Sequence, residues 1–358
     1  MSDKLRVGVI GAGMMGRYHC ETLALRLPGA DLAGVADIDG TAAARAAALA
    51  PGALATTDHR ALLADGSIQA VVIATPNDTH ASLTREAAAA GKHVFCEKPI
   101  ALDLAGADAA LAEAGRQGVK LQIGFQRRFD PAYREARRAI MDGELGAVEL
   151  VVGTTRDPRP PGVEQLRRSG GLFTDTAIHD LDSVRFLTGL EVVEVFATAS
   201  TLILENAAAE EGFADTAAIT LRLETGALVV ISNSLRAAYG YEVSMEVMGD
   251  RGKIAVGYER QTAVRRLTAE GVRHDHVSWF LDRFGEAYTA EMAHFIDCVA
   301  GDREPEVTDA DGRAALALAL LAERSHREGR PLPAGEDGWG ARPDTMAGAR
   351  PRRTRGLP

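Results

Sequence analysis

Short apolar runs alternate with helix-forming stretches in the first third of the chain. The apolar runs lie at residues 5–10, 31–36, 70–74, 93–96 and 121–125. Their continuous hydrophobicity is typical of strands that are covered on both faces. The segments between them, residues 14–27, 41–49, 79–90 and 104–117, are rich in alanine, which favours helix. Strands separated by helices predict a doubly wound parallel sheet over residues 1–125.

The pattern changes near residue 125. A helix over 131–141, a strand over 148–155, a polar proline-rich loop over 156–170 and a helix over 174–187 come first. Strand-like segments then follow one another through tight turns, at residues 192–204, 217–223, 227–235, 242–248 and 253–256. Hairpin-type connections predict an α+β domain with a large, mostly antiparallel open sheet. Helices over 286–299 and 311–328 complete this second domain, residues 126–333, and residues 334–358 are predicted to be a flexible tail.

Composition and charge narrow the classes of protein. The 358 residues carry a formal net charge of −10, which argues against nucleic acid as a partner. No apolar run approaches the ~20 residues that a membrane span needs, and the N-terminus lacks the apolar core of a signal peptide. The three cysteines are far apart, so neither a disulfide framework nor a metal site is expected. We therefore expect a cytoplasmic protein without a bound metal.

A glycine-rich loop follows the first predicted strand. Gly11, Ala12, Gly13, Met14, Met15 and Gly16 form the pattern G-x-G-x-x-G and open the first helix. The first glycine permits a tight turn, the second lets the backbone approach a pyrophosphate, and the third allows close packing of helix and strand. A glycine turn that binds nothing is the alternative. The surrounding strand and helix favour a dinucleotide site in a Rossmann domain.

An acid at the end of the second strand supports that interpretation. Asp37 follows Gly16 by 21 residues (37 − 16), close to the usual ~20-residue spacing of a ribose-binding carboxylate. Such an acid accepts hydrogen bonds from the ribose hydroxyls and repels a 2′-phosphate, and Ile38 and Asp39 supply no arginine. The predicted cofactor is NAD rather than NADP.

Two further strand ends carry polar residues. The loop after the third predicted strand contains Thr75, Pro76, Asn77 and His80, which we predict to bind the cofactor, since ligands sit at this edge of a parallel sheet. A helix cap by Asp78 or Thr79 is the alternative, and both can hold together. At the next strand end, Glu97-Lys98-Pro99 would direct an ammonium group toward a substrate oxygen; taken alone, Lys98 fits a surface lysine better than a site residue.

One helix carries an acid and a histidine four residues apart. Asp175 and His179 would share a helix face with Asp182 and Phe186. A carboxylate beside a histidine makes a general base, because it stabilises the imidazolium that forms. The alternatives are the solvated face of an amphipathic helix and a metal site, and no second histidine or cysteine stands at ligand spacing.

These segments together resemble one family over residues 5–333. The glycine-rich loop, Glu97-Lys98-Pro99, the stretch 124–130 around Arg127, the stretch from Asp157 to Asp180, and Tyr239-Gly240-Tyr241-Glu242 carry the resemblance. The chain resembles the glucose–fructose oxidoreductase, inositol dehydrogenase and rhizopine-catabolism (Gfo/Idh/MocA) family. Within it the chain is most similar to the inositol 2-dehydrogenases.

The resemblance implies a reaction and a set of roles. Lys98, Asp175 and His179 match the family's catalytic trio, in which His179 takes the hydroxyl proton, Asp175 orients it and Lys98 polarises the oxygen. Glu97 and Lys98 would also contact NAD, and Lys98, Arg127, Asp157, Asp175, His179 and Tyr241 would contact a polyol or cyclitol. The implied product is the ketone of myo-inositol or a close relative. The open sheet would form a homodimer or homotetramer interface.

Three other functions remain open from the sequence. An aldose or other sugar derivative could be the substrate, because pocket side chains decide between epimers. A regulator that binds NAD without catalysis is a second alternative, although Lys98, Asp175 and His179 argue against it. A glycosidase that retains NAD through a redox cycle is the third, and net release of NADH would exclude it.

Overall fold

A six-stranded parallel sheet forms the first layer of the protein. The computed structural model describes residues 4–204, 206–257, 261–262 and 264–335. The strands of this sheet are β1 (Leu5–Ile10), β2 (Ala30–Ala36), β3 (Leu54–Thr56), β4 (Ala70–Ile73), β5 (His93–Glu97) and β6 (Leu121–Gly124). Their order is β3-β2-β1-β4-β5-β6. Successive strands are therefore added on one side of β1 up to β3 and on its other side from β4 onward. The predicted Rossmann sheet is confirmed.

Helices connect these strands, as the alanine-rich segments predict. They are α1 (Met14–Leu25), α2 (Gly40–Ala47), α3 (His59–Ala64), α4 (His80–Ala89) and α5 (Leu104–Gln117). The ends of the four predicted helices differ from these by at most two residues. The sequence missed β3 and α3, because a three-residue strand that is largely exposed gives no apolar run.

The second sheet has seven strands, and its order shows one departure from the prediction. Its strands are β7 (Val148–Arg156), β8 (Val192–Ser200), β9 (Thr216–Leu223), β10 (Leu228–Ser234), β11 (Glu242–Gly249), β12 (Gly252–Gly257) and β15 (Leu332–Pro333). The order is β12-β11-β7-β10-β9-β8-β15. β7 lies between β10 and β11 and pairs with β10 in parallel, so those two consecutive strands are not hairpin neighbours. The sheet is mostly antiparallel but mixed.

Helices of the second half follow, and several of them pack against one face of this sheet. They are α6 (Pro131–Met141), α7 (Val163–Ser169), α8 (Ile178–Thr188), α9 (Asn206–Glu210), α10 (Phe280–Ala300) and α11 (Asp309–Glu328). α7 lies inside the predicted loop, and one turn of π-helix, Phe173–Ala177, leads into α8. On the opposite face of the sheet, apolar side chains such as Val230 and Phe196 remain more than a third exposed.

The chain returns to the first sheet through α10. Met292, Phe295 and Ile296 pack in one cluster with the strand residues Val7 and Phe95. α10 begins at Phe280, six residues before the predicted start at 286, and runs through Gly285, whose carbonyl accepts a hydrogen bond from Tyr18 (2.6 Å). The predicted domain boundary at 125/126 lies between β6 of the first sheet and β7 of the second. Although α10 follows this boundary in the sequence, it packs against the first sheet.

Two remaining segments complete the described chain. An exposed hairpin, β13 (Arg265–Thr268) and β14 (Gly271–His274), was not predicted. The predicted tail lies outside the described residues except for Ala334 and Gly335. Within the described ranges, every helix is too short or too polar to cross a membrane.

Candidate active site

The glycine-rich loop has the space that a bound pyrophosphate needs. Gly11 adopts φ +97°, and a Cβ at this position would lie 2.5 Å from the carbonyl oxygen of Ala74. A Cβ on Gly16 would collide with the carbonyl oxygen of Gly11, whereas a Cβ on Gly13 would meet no atom within 4 Å. Gly13 is the N-cap residue of α1 and provides no side-chain cap, so the first amides of the helix can bind an anion. These features fit an anionic dinucleotide.

Asp37 stands at the end of β2 beside that loop. Its Oδ2 accepts a hydrogen bond from the amide of Ala12 (2.6 Å), and its Oδ1 accepts one from the amide of Asp39 (2.8 Å). The neighbouring Ile38 is 93% exposed. The carboxylate is thereby held in a fixed position next to the nucleotide loop, as a ribose-binding acid requires.

The loop after β4 joins the first sheet to the catalytic region. The side-chain amide of Asn77 donates to Oδ1 of Asp175 (3.3 Å) and to the carbonyl oxygen of Ser169 (3.2 Å). Thr79 caps α4 without a side-chain hydrogen bond, and the carboxylate of Asp78 accepts two bonds from Arg168 at 3.1 Å. Thr79 therefore occupies the N-cap position of α4, but its hydroxyl donates to the carbonyl oxygen of Pro76 (2.7 Å) rather than capping the helix.

His80 lies in the protein interior. Its side chain is fully buried, with Nδ1 2.7 Å from the carbonyl oxygen of Pro99 and Nε2 2.8 Å from that of Thr75. Burial lowers the pKa of His80, but Cys96 and the two carbonyl acceptors outweigh it and raise the pKa to about 9. The side chain thus links the loop after β4 to the loop after β5, and any contact of His80 with the cofactor stays a prediction.

Glu97 is likewise directed into the protein interior. Its Oε1 lies 2.7 Å from Nε2 of His19, which is fully buried on α1. Glu291 of α10 is also fully buried, and burial together with the nearby Glu97 raises its pKa well above the ordinary range. This carboxylate oxygen pairs with His19, and a contact of Glu97 with NAD stays a prediction. No local sequence pattern signals this pair, because the two residues are 78 positions apart.

Lys98 and Asp175 form an ion pair at the carboxyl edge of the first sheet. The Lys98 ammonium donates to Oδ1 of Asp175 (2.9 Å) and to its backbone carbonyl (2.8 Å). The lysine side chain is 16% exposed and the aspartate side chain 31%. The surface-lysine alternative is therefore wrong, and the pair retains a partly open face.

His179 lies beside this pair. Nδ1 of His179 is buried without a hydrogen-bond partner, and the Asp175 carboxylate is bonded to Lys98 and Asn77 instead. The π-helical turn breaks the regular i, i+4 spacing on which the predicted pairing rested. The structure therefore shows Asp175 bonded to Lys98, and it shows no hydrogen bond from His179 Nδ1 to Asp175 that would support the predicted orientation of the ring.

Electrostatics keep the His179 ring neutral. Burial, followed by the positive charges of Lys98 and Arg127, holds the pKa of His179 well below its usual range. A neutral imidazole has a nitrogen lone pair ready to accept a proton at neutral pH. The solvated-face alternative for this helix is wrong, because Asp180 and Asp182 are also buried.

Arg127 belongs to a buried network under the site. Its Nη1 donates to Oδ1 of Asp180 (2.6 Å) and its Nη2 to Oγ1 of Thr155 (2.9 Å), while Asn233 donates to Oδ2 of Asp180 (2.7 Å). Arg127 is 2% exposed. Its charge acts on His179, and its Nε is buried without a hydrogen-bond partner, so direct contact of Arg127 with substrate stays a prediction.

Asp157 and Tyr241 complete the wall of the site. Burial and the nearby Asp175 raise the pKa of Asp157 to about 6, and Thr176 lies 3.5 Å from its Oδ2. Tyr241 is 6% exposed, and burial raises the pKa of its hydroxyl. Both groups interact electrostatically with Arg127. A carboxyl group thus stands near Lys98 and Asp175, and a phenol stands near that carboxyl group, where both can bond to hydroxyl groups.

The arrangement defines the class of protein: an oxidoreductase that binds NAD on a Rossmann sheet and places a lysine and a neutral histidine at the carboxyl edge of that sheet. Residues 5–125 match the oxidoreductase family with the NAD-binding Rossmann fold, and residues 133–255 match the GFO/IDH/MocA C-terminal domain. The chain belongs to the GFO/IDH/MocA oxidoreductase family.

Individual relatives are similar over almost their whole length. An inositol 2-dehydrogenase from Rhizobium meliloti is 42% identical, covering 92% of this chain and 98% of the relative. The crystal structure of a myo-inositol dehydrogenase from Corynebacterium glutamicum has a TM-score of 0.86 and 34% identity, covering 92% and 99% of the two chains. That of a Lactobacillus casei myo-inositol dehydrogenase in complex with NAD(H) and myo-inositol has a TM-score of 0.84 and 29% identity, covering 92% and 97%.

Proposed function

We propose that this protein oxidises a secondary hydroxyl group of a cyclitol, myo-inositol or a close relative, to the ketone with NAD as the oxidant. The observation that carries the proposal is the Lys98–Asp175 ion pair with the neutral His179 beside it, at the sheet edge that the nucleotide loop also borders. Relatives that are inositol dehydrogenases support the substrate class.

The chain's own residues account for the proton and the developing charge. His179 accepts the hydroxyl proton, and its buried Nδ1 leaves Nε2 as the accepting atom. The Lys98 ammonium, which Asp175 holds in place, stabilises the negative charge that grows on the substrate oxygen. Bound NAD would supply the hydride acceptor, the nicotinamide C4. Asp157 and Tyr241 bind the remaining hydroxyl groups and orient the ring.

The residues that would hold NAD follow from the same geometry. Gly11, Gly13 and Gly16 accommodate the pyrophosphate, and Asp37 accepts from the ribose hydroxyls. Thr75, Pro76 and Asn77 border the cofactor at the end of β4. Ala12, Met14 and Met15 complete the loop.

The reaction is tested by following NADH formation with myo-inositol, scyllo-inositol and glucose. The proposal expects reduction of NAD with at least one inositol and net release of NADH. Activity with glucose alone would replace the cyclitol with an aldose. The absence of turnover with every polyol, despite NAD binding, would leave a non-catalytic nucleotide-binding protein.

Cofactor choice gives a separate prediction. Replacing Asp37 with serine removes a carboxylate that would repel the 2′-phosphate of NADP, and the preference for NAD over NADP is expected to fall by about tenfold or more. The measurement is the ratio of kcat/KM for the two cofactors. Asp39→Ser is the matched control, because the Asp39 carboxylate instead accepts from the amide of Thr41 (2.9 Å). An unchanged ratio in Asp37→Ser would remove the ribose assignment.

We further propose that the protein is a cytoplasmic homo-oligomer, a dimer or a tetramer, that associates through the open face of the second sheet. Side chains on this face form an apolar patch in register, with Val230 opposite Val152 and Leu228 opposite Leu150. Val230, Val152 and Leu228 are 39%, 37% and 48% exposed. Contiguous exposed apolar area of this kind marks an interaction surface. The three cysteines are free and buried, which suits a reducing compartment.

Light scattering tests the interface. Val230→Glu places a charge in the patch, and we expect the particle mass to fall below that of the native protein while the circular dichroism spectrum is unchanged, because an unpaired charge is costly to bury. Leu267→Glu on the exposed hairpin is the control and should keep the native mass. A native protein that is already monomeric would contradict the proposal.

A further inference from the structure

Two tyrosines separated by one glycine point to different sides of the second sheet. Tyr241 is 6% exposed and lines the site, whereas Tyr239 is 53% exposed. Gly240 between them has φ +127°, and a Cβ here would lie 2.7 Å from the carbonyl oxygen of Val277. Only glycine fits this turn without strain. The turn therefore fixes an inner tyrosine and an outer tyrosine on one short loop.

The end of β7 repeats this inner and outer arrangement. Asp157, which lines the site, directly follows Arg156, whose side chain is about one third exposed. Backbone hydrogen bonds clamp Asp157 to the neighbouring loop, from its amide to the carbonyl of Ser234 (3.0 Å) and to its carbonyl from the amide of Ala237 (2.6 Å). Each wall residue of the site thus has an outward-facing partner close by in the sequence.

The outward-facing residues are bonded to one another. Nη1 of Arg156 donates to the hydroxyl of Tyr239 (3.0 Å) and to Oε2 of Glu242 (2.8 Å), and Nη2 donates to Oγ of Ser232 (3.2 Å). The Tyr239 hydroxyl in turn donates to Glu242. We name Arg156, Ser232, Tyr239 and Glu242 the outer cluster. It joins β7, β10 and β11 with the loop that carries Tyr241.

The single ion pair of the outer cluster adds little to the stability of the fold by itself, because a pair at this degree of exposure contributes about 0–1 kcal/mol. The cluster, however, connects the two segments that supply Asp157 and Tyr241. Glu242 lies directly opposite Arg156 where β11 pairs with β7. A network of this kind restricts relative movement of the segments it joins.

We infer that Arg156 and Tyr239 are positioning residues for polyol recognition, which hold Asp157 and Tyr241 at a fixed separation across the site. The inference rests on the proposed function, because it assumes that Asp157 and Tyr241 bind substrate hydroxyl groups. Neither outer residue touches the substrate. Their loss should weaken ground-state binding of the polyol while the Lys98–Asp175 pair and the NAD site remain intact.

Steady-state kinetics of Arg156→Met test this role. We expect KM for myo-inositol, or for the best polyol of the substrate panel, to rise about tenfold, the value of roughly one well-placed hydrogen bond. The value of kcat should change by less than about threefold, and NADH binding measured by fluorescence should be unchanged. Arg156→Lys retains the charge and should restore part of the native KM. Tyr239→Phe removes only a hydroxyl group and should raise KM in the same direction, which keeps the test valid if Arg156→Met does not fold.

Arg222→Met is the matched control. Arg222 belongs to β9 of the same sheet and pairs with Glu194 (3.3 Å); within the described residues, its hydrogen bonds and ion pairs do not reach the loop of Tyr241. It should leave KM and kcat unchanged. An unchanged polyol KM in both Arg156→Met and Tyr239→Phe, or an equal rise in Arg222→Met, would overturn the inference while the native enzyme's activity still supports the proposed function. If the native protein reduces NAD with no polyol, the proposed function and this inference fall together.

Discussion

Replacing Lys98 with methionine is expected to lower kcat by about 10²- to 10⁴-fold while NAD still binds. Methionine keeps the length and apolar stem of the side chain but removes the ammonium that stabilises the developing alkoxide. It also leaves the Asp175 carboxylate without its lysine partner at 2.9 Å. Stopped-flow measurement of NADH formation gives kcat, and fluorescence titration with NADH gives the cofactor affinity.

Lys253→Met is the control for that substitution. Lys253 pairs with Glu246 (2.9 Å) on the exposed part of the second sheet, and its loss should leave the rate unchanged. A Lys98→Met variant that keeps near-native kcat would show that the ammonium is dispensable. Loss of NADH binding instead of kcat would move Lys98 from the chemical step to cofactor binding.

Replacing His179 with asparagine is expected to cause a loss of similar size, about 10²- to 10⁴-fold in kcat, with cofactor affinity retained. The imidazole is neutral because burial, Lys98 and Arg127 lower its pKa, so the native enzyme has its base in the accepting form at neutral pH. A lowered pKa also sets the direction of the pH dependence. Protonation of His179 should reduce kcat/KM only on the acid side of the ordinary histidine range.

Chemical rescue separates a proton-transfer role from a structural one. Added imidazole should restore part of the rate of His179→Asn, because a diffusible base can replace a missing general base when the cavity is open. His274→Asn on the exposed hairpin is the control and should behave as the native protein. Native-like turnover by His179→Asn would contradict the assignment. So would a native kcat/KM that already falls on acidification at pH values well above the ordinary histidine pKa.

The hydrogen bonds of Asp175 affect the interpretation of the Lys98→Met and His179→Asn variants. The sequence placed a carboxylate one helical turn before a histidine, and this spacing predicted a pair. The π-helical turn and the competing partners Lys98 and Asn77 direct the carboxylate elsewhere. Lys98 is thus the residue that Asp175 positions, and His179 owes its low pKa to burial and to two cations rather than to a carboxylate.

The local structural features of the first domain could be predicted from the sequence. The strand and helix ends, the glycine-rich loop and the position of Asp37 all depend on periodicity or spacing within about 20 residues. Motifs that resemble those of the family also indicate Lys98, Asp175 and His179 in the sequence. In the structure Lys98 is bonded to Asp175 and acts electrostatically on His179, while their catalytic roles stay predictions.

Burial and partner choice were decided only by the tertiary structure. His80, Glu97 and Arg127 are polar residues next to motifs, which made them ligand candidates, yet each is buried and bonded to a residue or loop that is remote in the sequence or on another element. The insertion of β7 between β10 and β11 and the return of α10 to the first sheet are of the same kind. A sequence encodes turn chemistry and apolar periodicity locally, whereas a hydrogen-bond partner depends on which distant segments pack together.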